Sequence, residues 1–73
     1  MRNELYLEYE GGSYQYFDTN NSEWDSALRE FENIMTRVGL NMDNMHLIKI
    51  QVRRKSDDNI IDWNRFENGN WIR

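Results

Sequence analysis

The segment from Ser22 to Gly39 reads SEWDSALREFENIMTRVG and gives the strongest indication of the fold. Its apolar residues recur three and four positions apart, as Trp24, Ala27, Leu28, Phe31, Ile34, Met35 and Val38. On an α-helix this spacing forms a single stripe, so the stretch is predicted to be an amphipathic helix. Ser22 is a typical N-cap residue, and Gly39 is placed to end the helix in the left-handed conformation. A helix with one apolar face needs a second layer to cover it.

The sequence before the helix alternates with the two-residue period of a β-strand. Residues 5–9 read LYLEY, and Gly11 and Gly12 are typical of a two-residue hairpin loop. With that loop, Tyr6 would pair with Phe17 and both would lie on the outer face. The core face of the hairpin would then hold Leu5, Leu7, Tyr9, Tyr14 and Tyr16.

The sequence after the helix predicts a second hairpin. Residues 48–52 alternate in hydrophobicity, which favours a strand with Ile48 on its buried face and Leu47 on the other. A turn at residues 55–58 would join this strand to the next. The predicted pairs across the hairpin are Val52 with Ile61 and Ile50 with Trp63.

Two further loops complete the predicted chain path. A loop at residues 41–44 would follow the helix, and the sequence ENGN at residues 67–70 has the Asn-Gly signature of a hairpin turn. That turn would set Phe66 opposite Trp71. The hairpin over residues 64–73 would either cover the second face of the sheet or leave it open.

These patterns predict one small α+β domain over residues 1–73. A single central helix would pack on one face of a mostly antiparallel sheet of four to five strands, in the order ββαββ(β). Seventy-three residues are close to the lower size at which one hydrophobic core is stable alone.

Composition excludes several classes of protein. The chain has no cysteine, so neither a disulfide nor a thiolate metal site is expected. No apolar run approaches the roughly 20 residues that span a bilayer, and the N-terminus does not resemble a signal peptide. We therefore expect a cytoplasmic protein with no membrane contact, in the host cytoplasm if a phage encodes it.

The charge is unevenly distributed along the chain. Net charge is −4; residues 1–44 carry nine acids against three bases, and residues 45–73 carry four acids against six bases. Overall acidity argues against sequence-independent binding to nucleic acid, which depends on a basic surface.

The sequence predicts no enzyme, with no catalytic residues, cofactor or metal. The only histidine, His46, has no serine in a pattern that would form a nucleophile triad. Asp57 and Asp58 lie in a predicted turn, where neither carboxyl would be buried as acid–base chemistry requires. One histidine without cysteine cannot complete a zinc site, and no glycine-rich phosphate loop is present.

An acidic surface is the first candidate for binding. On the outer face of a strand, carboxylates two residues apart lie about 6.6 Å from each other, close to the spacing of successive backbone phosphates. Such a row fits a basic groove that normally holds nucleic acid, although ordinary solubilising charge is the simpler explanation. The candidate partner-binding residues are Glu4, Tyr6, Glu8, Glu10, Phe17 and Glu30.

A basic run offers a different interpretation. Arg53, Arg54 and Lys55, with Lys49 upstream, would contact RNA or DNA beside a stacking platform formed by exposed sheet aromatics. The same run is also typical of a solvated strand end, where charged side chains prevent the strand from pairing with another chain.

Exposed apolar residues suggest a third possibility. The predicted registers direct five apolar side chains away from the helix, and a contiguous patch of this kind marks a partner or homodimer interface. These residues are Tyr6, Phe17, Leu47, Phe66 and Trp71.

In size, composition and its β-hairpin–helix–β-hairpin plan, the chain resembles the small proteins with which phages inhibit host enzymes or defence systems. Anti-CRISPR proteins and DNA mimics belong to this group. The resemblance rests on no motif and carries over no residue. It implies a non-catalytic module that blocks a host nucleic-acid-handling protein; the other hypotheses are a small RNA- or DNA-binding domain and a homodimeric structural accessory protein.

Overall fold

The structure, a computed structural model, describes residues 2–39, 46–67 and 70–72. The loop predicted at residues 41–44 and the Asn-Gly pair at residues 68–69 lie outside the described residues. The elements in chain order are β1 (Asn3–Tyr9), β2 (Tyr14–Thr19), α1 (Trp24–Arg37), β3 (Leu47–Arg54), β4 (Ile60–Glu67) and β5 (Asn70–Ile72). The strands form one antiparallel sheet in the order β2-β1-β3-β4-β5, and α1 packs against one face of it. The predicted α+β architecture is confirmed.

The core lies between α1 and the three strands at the centre of the sheet. Phe31 from the helix stripe is fully buried, and burying an aromatic or aliphatic side chain of this size contributes about 2 kcal/mol. The buried apolar residues are Leu5, Leu7, Ala27, Leu28, Phe31, Ile50 and Val52. The face of β1 predicted to be buried is therefore confirmed.

The two ends of the helix differ in how well they were predicted. Gly39 adopts the left-handed conformation with φ +84° just after the helix, as predicted. Ser22 is not the N-cap: the helix begins at Trp24, and Glu23 occupies the cap position without a side-chain hydrogen bond. The carboxylate of Asp62 on β4 accepts the Trp24 backbone N–H instead, at 2.9 Å.

The predicted two-residue loop of the first hairpin is wrong. The backbone N–H of Tyr9 donates to the carbonyl of Ser13 at 2.7 Å, so Glu10 joins both glycines in a three-residue loop. Gly11 and Gly12 both have positive φ, +92° and +95°. Adding one residue to the loop moves the pairing register by one residue, which turns every β2 side chain to the opposite face.

The shifted register exchanges the faces of β2. Leu5 pairs with Phe17 and Tyr6 pairs with Tyr16. Phe17 therefore points toward the helix, and its ring packs edge-on against Phe31 with centroids 5.5 Å apart. Tyr16 and Tyr14 point away from the helix, so the prediction that they are core residues is wrong.

A β-bulge changes the start of β3. Glu8 pairs with Lys49, but Tyr9 pairs with Leu47, which leaves Ile48 as the extra residue. Leu47 consequently packs against the core and Ile48 is exposed. Both assignments are the reverse of those predicted from alternation.

The predicted register between β3 and β4 is also wrong by one residue. Val52 pairs with Asp62 and Ile50 pairs with Asn64, so two polar residues are buried on the helix side. Trp63 points to the other face. Alternation of apolar residues gave the wrong register because the buried positions of β4 carry polar side chains.

The last hairpin extends the sheet, and no element of residues 2–39, 46–67 or 70–72 covers its second face. Phe66 pairs with Trp71 as predicted. The Trp71 ring lies 5.4 Å from the Trp24 ring at the start of the helix. Trp71 therefore points toward the helix side, and so does Phe66, whose ring lies 5.0 Å from that of Trp71. The prediction that these two residues point outward is wrong.

Candidate binding surface on the open sheet face

The sheet face opposite the helix, which we name the open face, presents side chains in three rows that run across β2, β1, β3 and β4. The rows follow directly from the pairing registers. Their members, in strand order, are Tyr14, Glu8, Lys49 and Arg65; then Tyr16, Tyr6, Gln51 and Trp63; then Asp18, Glu4, Arg53 and Ile60.

Three tyrosine rings pack together at the β2 side of the open face. The Tyr6 centroid lies 5.3 Å from that of Tyr16 and 6.1 Å from that of Tyr14. The guanidinium of Arg53 lies over the Tyr6 ring, 4.4 Å from its centroid. Cation–π contact of this kind holds a long basic side chain flat against the sheet.

Hydrogen bonds fix the middle of the open face. The Tyr6 hydroxyl donates to the Glu8 carboxylate at 2.7 Å, and Arg53 donates from Nη2 to Gln51 Oε1 at 2.9 Å. Arg53 Nη1 also donates to the Tyr16 hydroxyl at 3.3 Å. The hydrogen bond to Glu8, with burial and the Glu8 charge, raises the pKa of Tyr6 to about 12, although the Arg53 charge opposes the shift.

A shallow groove of about 480 Å³ lies at the β4 side of the open face, lined by Lys49, Gln51, Ile60, Trp63 and Arg65. Trp63 is 41% exposed there, and Ile60 is 50% exposed. A tryptophan half out of water beside two cations is typical of a binding surface rather than of an ordinary solvated face.

Charge divides the open face into two halves. Glu4, Glu8 and Asp18 lie on β1 and β2, whereas the cations Lys49, Arg53 and Arg65 lie on β3 and β4. Two of these charges have salt-bridge partners: Asp18 bonds Lys55 at 3.1 Å, and Arg65 bonds Glu67 at 3.5 Å.

The structure brings together only half of the predicted partner-binding residues. Glu4, Tyr6 and Glu8 lie side by side on the open face. Glu10 lies in the exposed hairpin loop. The carboxylate row is therefore interrupted by a tyrosine, and cations from β3 lie directly beside it.

Two predicted partner-binding residues belong to the other side of the sheet. Phe17 packs against the core, so its assignment to the outer face is wrong. Glu30 lines a groove of about 600 Å³ between α1 and β2, together with Phe17 and Ile34. Its Oε1 atom is buried and has no hydrogen-bond partner among the described residues.

The four basic residues predicted to contact nucleic acid do not form one surface. Lys49 and Arg53 lie on the open face. Arg54 bonds Asp57 at 3.0 Å at the β3–β4 turn, and Lys55 bonds Asp18. Arg65, one strand further, completes the basic half of the open face.

Sequence reasoning missed the most exposed aromatic residues of the surface. Tyr14, Tyr16 and Trp63 were assigned to the core from alternation alone. A three-residue loop at Glu10 would have placed the first two correctly. No sequence signal indicated the outward orientation of Trp63, because its buried neighbours are polar.

No family model, curated protein or solved structure matches the chain. Within the described ranges, no helix has the length and hydrophobicity that crossing a bilayer requires. The described residues also contain no group of three or more side chains placed to hold a metal ion.

Proposed function

We propose that the protein is a non-catalytic protein-binding module and that the open face is its recognition surface. The observation that supports this most directly is the exposure of Tyr14, Tyr16, Ile60 and Trp63 on one uncovered face. The two tyrosines lie on β2, and Ile60 and Trp63 lie on β4, so two apolar clusters flank the charged and polar middle of the face. Exposed rings beside charged residues are typical of an interface.

The chemistry of the open face favours a protein partner. Tyrosine, tryptophan and arginine are the residues that contribute most to protein interfaces, and all three occur here. Arg53 is already held flat by Tyr6 and Gln51, so little side-chain entropy would be lost on binding. The partner surface would be basic over the β1–β2 half and acidic over the β3–β4 half.

Inhibition of a host nucleic-acid-handling protein, in the manner of a phage inhibitor or DNA mimic, remains a prediction about the identity of that partner. Glu4 and Glu8 support it because they lie on the open face. Arg53 and Lys49 weaken it, since cations one strand away reduce the negative field that a DNA mimic needs.

The test is partner capture from a plausible host lysate with a double variant, Tyr16→Ser with Trp63→Ser. We expect proteins retained by the wild type to be lost with this variant. Val38→Ser is the matched control, because Val38 is exposed at the end of the helix, away from the open face. Equal retention by all three proteins would exclude the open face as the recognition surface.

Binding of single-stranded nucleic acid is a second candidate, favoured by the stacking of Arg53 on Tyr6 and by Lys49 and Arg65 on the same face. Aromatic rings interleaved with cations bind bases and phosphates in many single-strand binders. A gel shift with a single-stranded oligonucleotide across a range of salt concentrations tests it. Absence of a complex at low ionic strength eliminates this candidate.

A further inference from the structure

The three rows of the open face share one pattern when they are followed across the sheet. On β2 and β1 each row carries tyrosine or an acid, and on β3 and β4 each row carries a cation, glutamine, tryptophan or isoleucine. The open face is thus divided into chemically opposite halves along a line that runs parallel to the strands between β1 and β3.

A surface divided in this way is complementary to a copy of itself. A twofold axis along the dividing line would place β1 over the partner subunit's β3, and β2 over the partner subunit's β4. Because the axis is parallel to the strands, each row would face the same row of the other copy. The resulting contacts in the central strands are Glu8 with the partner subunit's Lys49, Glu4 with the partner subunit's Arg53, and Tyr6 with the partner subunit's Gln51. The outer contacts are Tyr16 with the partner subunit's Trp63, Tyr14 with the partner subunit's Arg65, and Asp18 with the partner subunit's Ile60.

We propose that the open face binds a second copy of this chain, forming a twofold symmetric dimer by sheet-on-sheet packing. This inference rests on the proposed function and names the partner. The two charge pairs between the copies, Glu8 with Lys49 and Glu4 with Arg53, are both attractive. Each pair occurs twice because the interface is isologous. The alternative axis along β3 would place Lys49 against the partner subunit's Lys49, so repulsion selects between the two arrangements.

The size of the interface indicates a reversible dimer. Four strands at a spacing of about 4.8 Å and three rows about 6.6 Å apart cover roughly 400 Å² of flat area on each copy. Stable complexes bury about 800 Å² of accessible surface on each partner, so this interface lies at the small end. The packed rings and the paired charges provide the attraction, and the dimer dissociates on dilution.

Sedimentation equilibrium over about 10 μM to 1 mM tests the proposal, a range that spans weak association constants. We expect the apparent mass to rise from 9.0 kDa toward twice that value as concentration increases. Lys49→Glu would place two carboxylates opposite each other at two positions and weaken the dimer by about tenfold or more.

A mixture of the single variants Glu8→Lys and Lys49→Glu distinguishes a contact across the axis from loss of fold. Each chain keeps a like-charged pair between its own β1 and β3, whereas both contacts between the two different chains become attractive. Each single variant alone should dimerise weakly, and we expect the equimolar mixture to associate to within about threefold of the wild type. Arg29→Glu is the matched control, because it makes the same charge change on an exposed part of α1. If Lys49→Glu does not fold, Trp63→Ser takes its place. This substitution changes no charge, and we expect it to weaken the dimer.

Each outcome has a defined meaning. A monomer throughout the concentration range overturns the dimer, and capture of another protein that depends on Tyr16 and Trp63 would leave the proposed function intact. Equal weakening by Arg29→Glu and Lys49→Glu overturns the assignment of the dimer to the open face. Weakening by Lys49→Glu alone, with recovery when Lys49→Glu is mixed with Glu8→Lys, supports the dimer and its axis.

Discussion

The backbone N–H of Trp24 donates to Asp62 Oδ2 at 2.9 Å, although the two residues lie 38 positions apart in the sequence. This contact joins the first turn of α1 to the middle of β4. A helix N-terminus has unpaired N–H groups and a partial positive charge, and a carboxylate satisfies both. The contact adds to the core packing that places the helix on the side of the sheet opposite the open face.

Removing the Asp62 carboxylate should destabilise the fold. Asp62 is buried, and Asp62→Ala would leave the Trp24 N–H without its acceptor, at a cost of about 2 kcal/mol in the free energy of unfolding. Asp62→Asn retains an acceptor and should cost less. Urea unfolding measures both.

Glu23→Gln serves as the control for charge alone at the same end of the helix. Glu23 is exposed and makes no side-chain capping bond, so its substitution should change stability by less than about 0.5 kcal/mol. Equal losses of unfolding free energy for Glu23→Gln and Asp62→Ala would show that Asp62 stabilises the helix through its charge near the helix dipole and not through its hydrogen bond.

The reversed orientation of β2 predicts unequal losses of stability for two aromatic residues on its opposite faces. Phe17→Ala removes a ring that packs on Phe31 and should cost about 2 kcal/mol of stability. Tyr14→Ala removes a ring that is 64% exposed and should cost less than about 0.5 kcal/mol. Thermal or urea unfolding of both variants measures the difference, and the reverse order would contradict the three-residue loop.

The first hairpin loop should be sensitive to substitution of either glycine. Gly11 and Gly12 have positive φ, and a Cβ at either position would meet no atom within 4 Å. The effect of Gly11→Ala or Gly12→Ala is therefore backbone strain alone, at about 1 kcal/mol each. Gly12→Asn should cost less because asparagine tolerates this conformation. Ser13→Ala is the matched control, and urea unfolding of each variant is the measurement.

The ionisation of Tyr6 reports the contact with Glu8. The raised pKa of about 12 should fall toward 10 in Glu8→Ala, because both the hydrogen bond and the neighbouring charge are removed. Absorbance at alkaline pH follows tyrosine ionisation, and subtraction of the Tyr6→Phe titration isolates this residue. An unchanged titration in Glu8→Ala would contradict the contact.

The same shift gives the sign of the pH dependence of stability. The folded-state pKa of Tyr6 lies above the unfolded value of about 10, so the stabilising contribution is complete below pH 10. It is lost as the pH rises through about 12. Unfolding measured across this range should show a smaller alkaline loss in Tyr6→Phe than in the wild type.

The helix and the class of fold could be predicted from sequence because they follow from local periodicity. In the predicted stripe Ala27, Leu28 and Phe31 are buried, whereas Val38 at its end is exposed. The alternation of Leu5 and Leu7 placed β1 correctly. In both cases a residue's neighbours within a few positions determine which face it occupies.

The β2 and β4 members of the open face could not be predicted because register depends on single residues in loops and bulges. Because Glu10 belongs to the hairpin loop, Tyr16 points away from the helix. Because Ile48 is an extra residue in a bulge, Leu47 packs against the core and Ile48 is exposed. The paired rows that support the proposed surface exist only after those shifts are known.

Sequence alone determined that one amphipathic helix would cover one face of an antiparallel sheet, because hydrophobic periodicity acts over a few residues. Tertiary structure alone decided that Asp62 would cap the helix and that Trp63 would lie beside Gln51 on the open face. Those relationships join distant segments, and they were selected by the burial of the whole core rather than by any local preference.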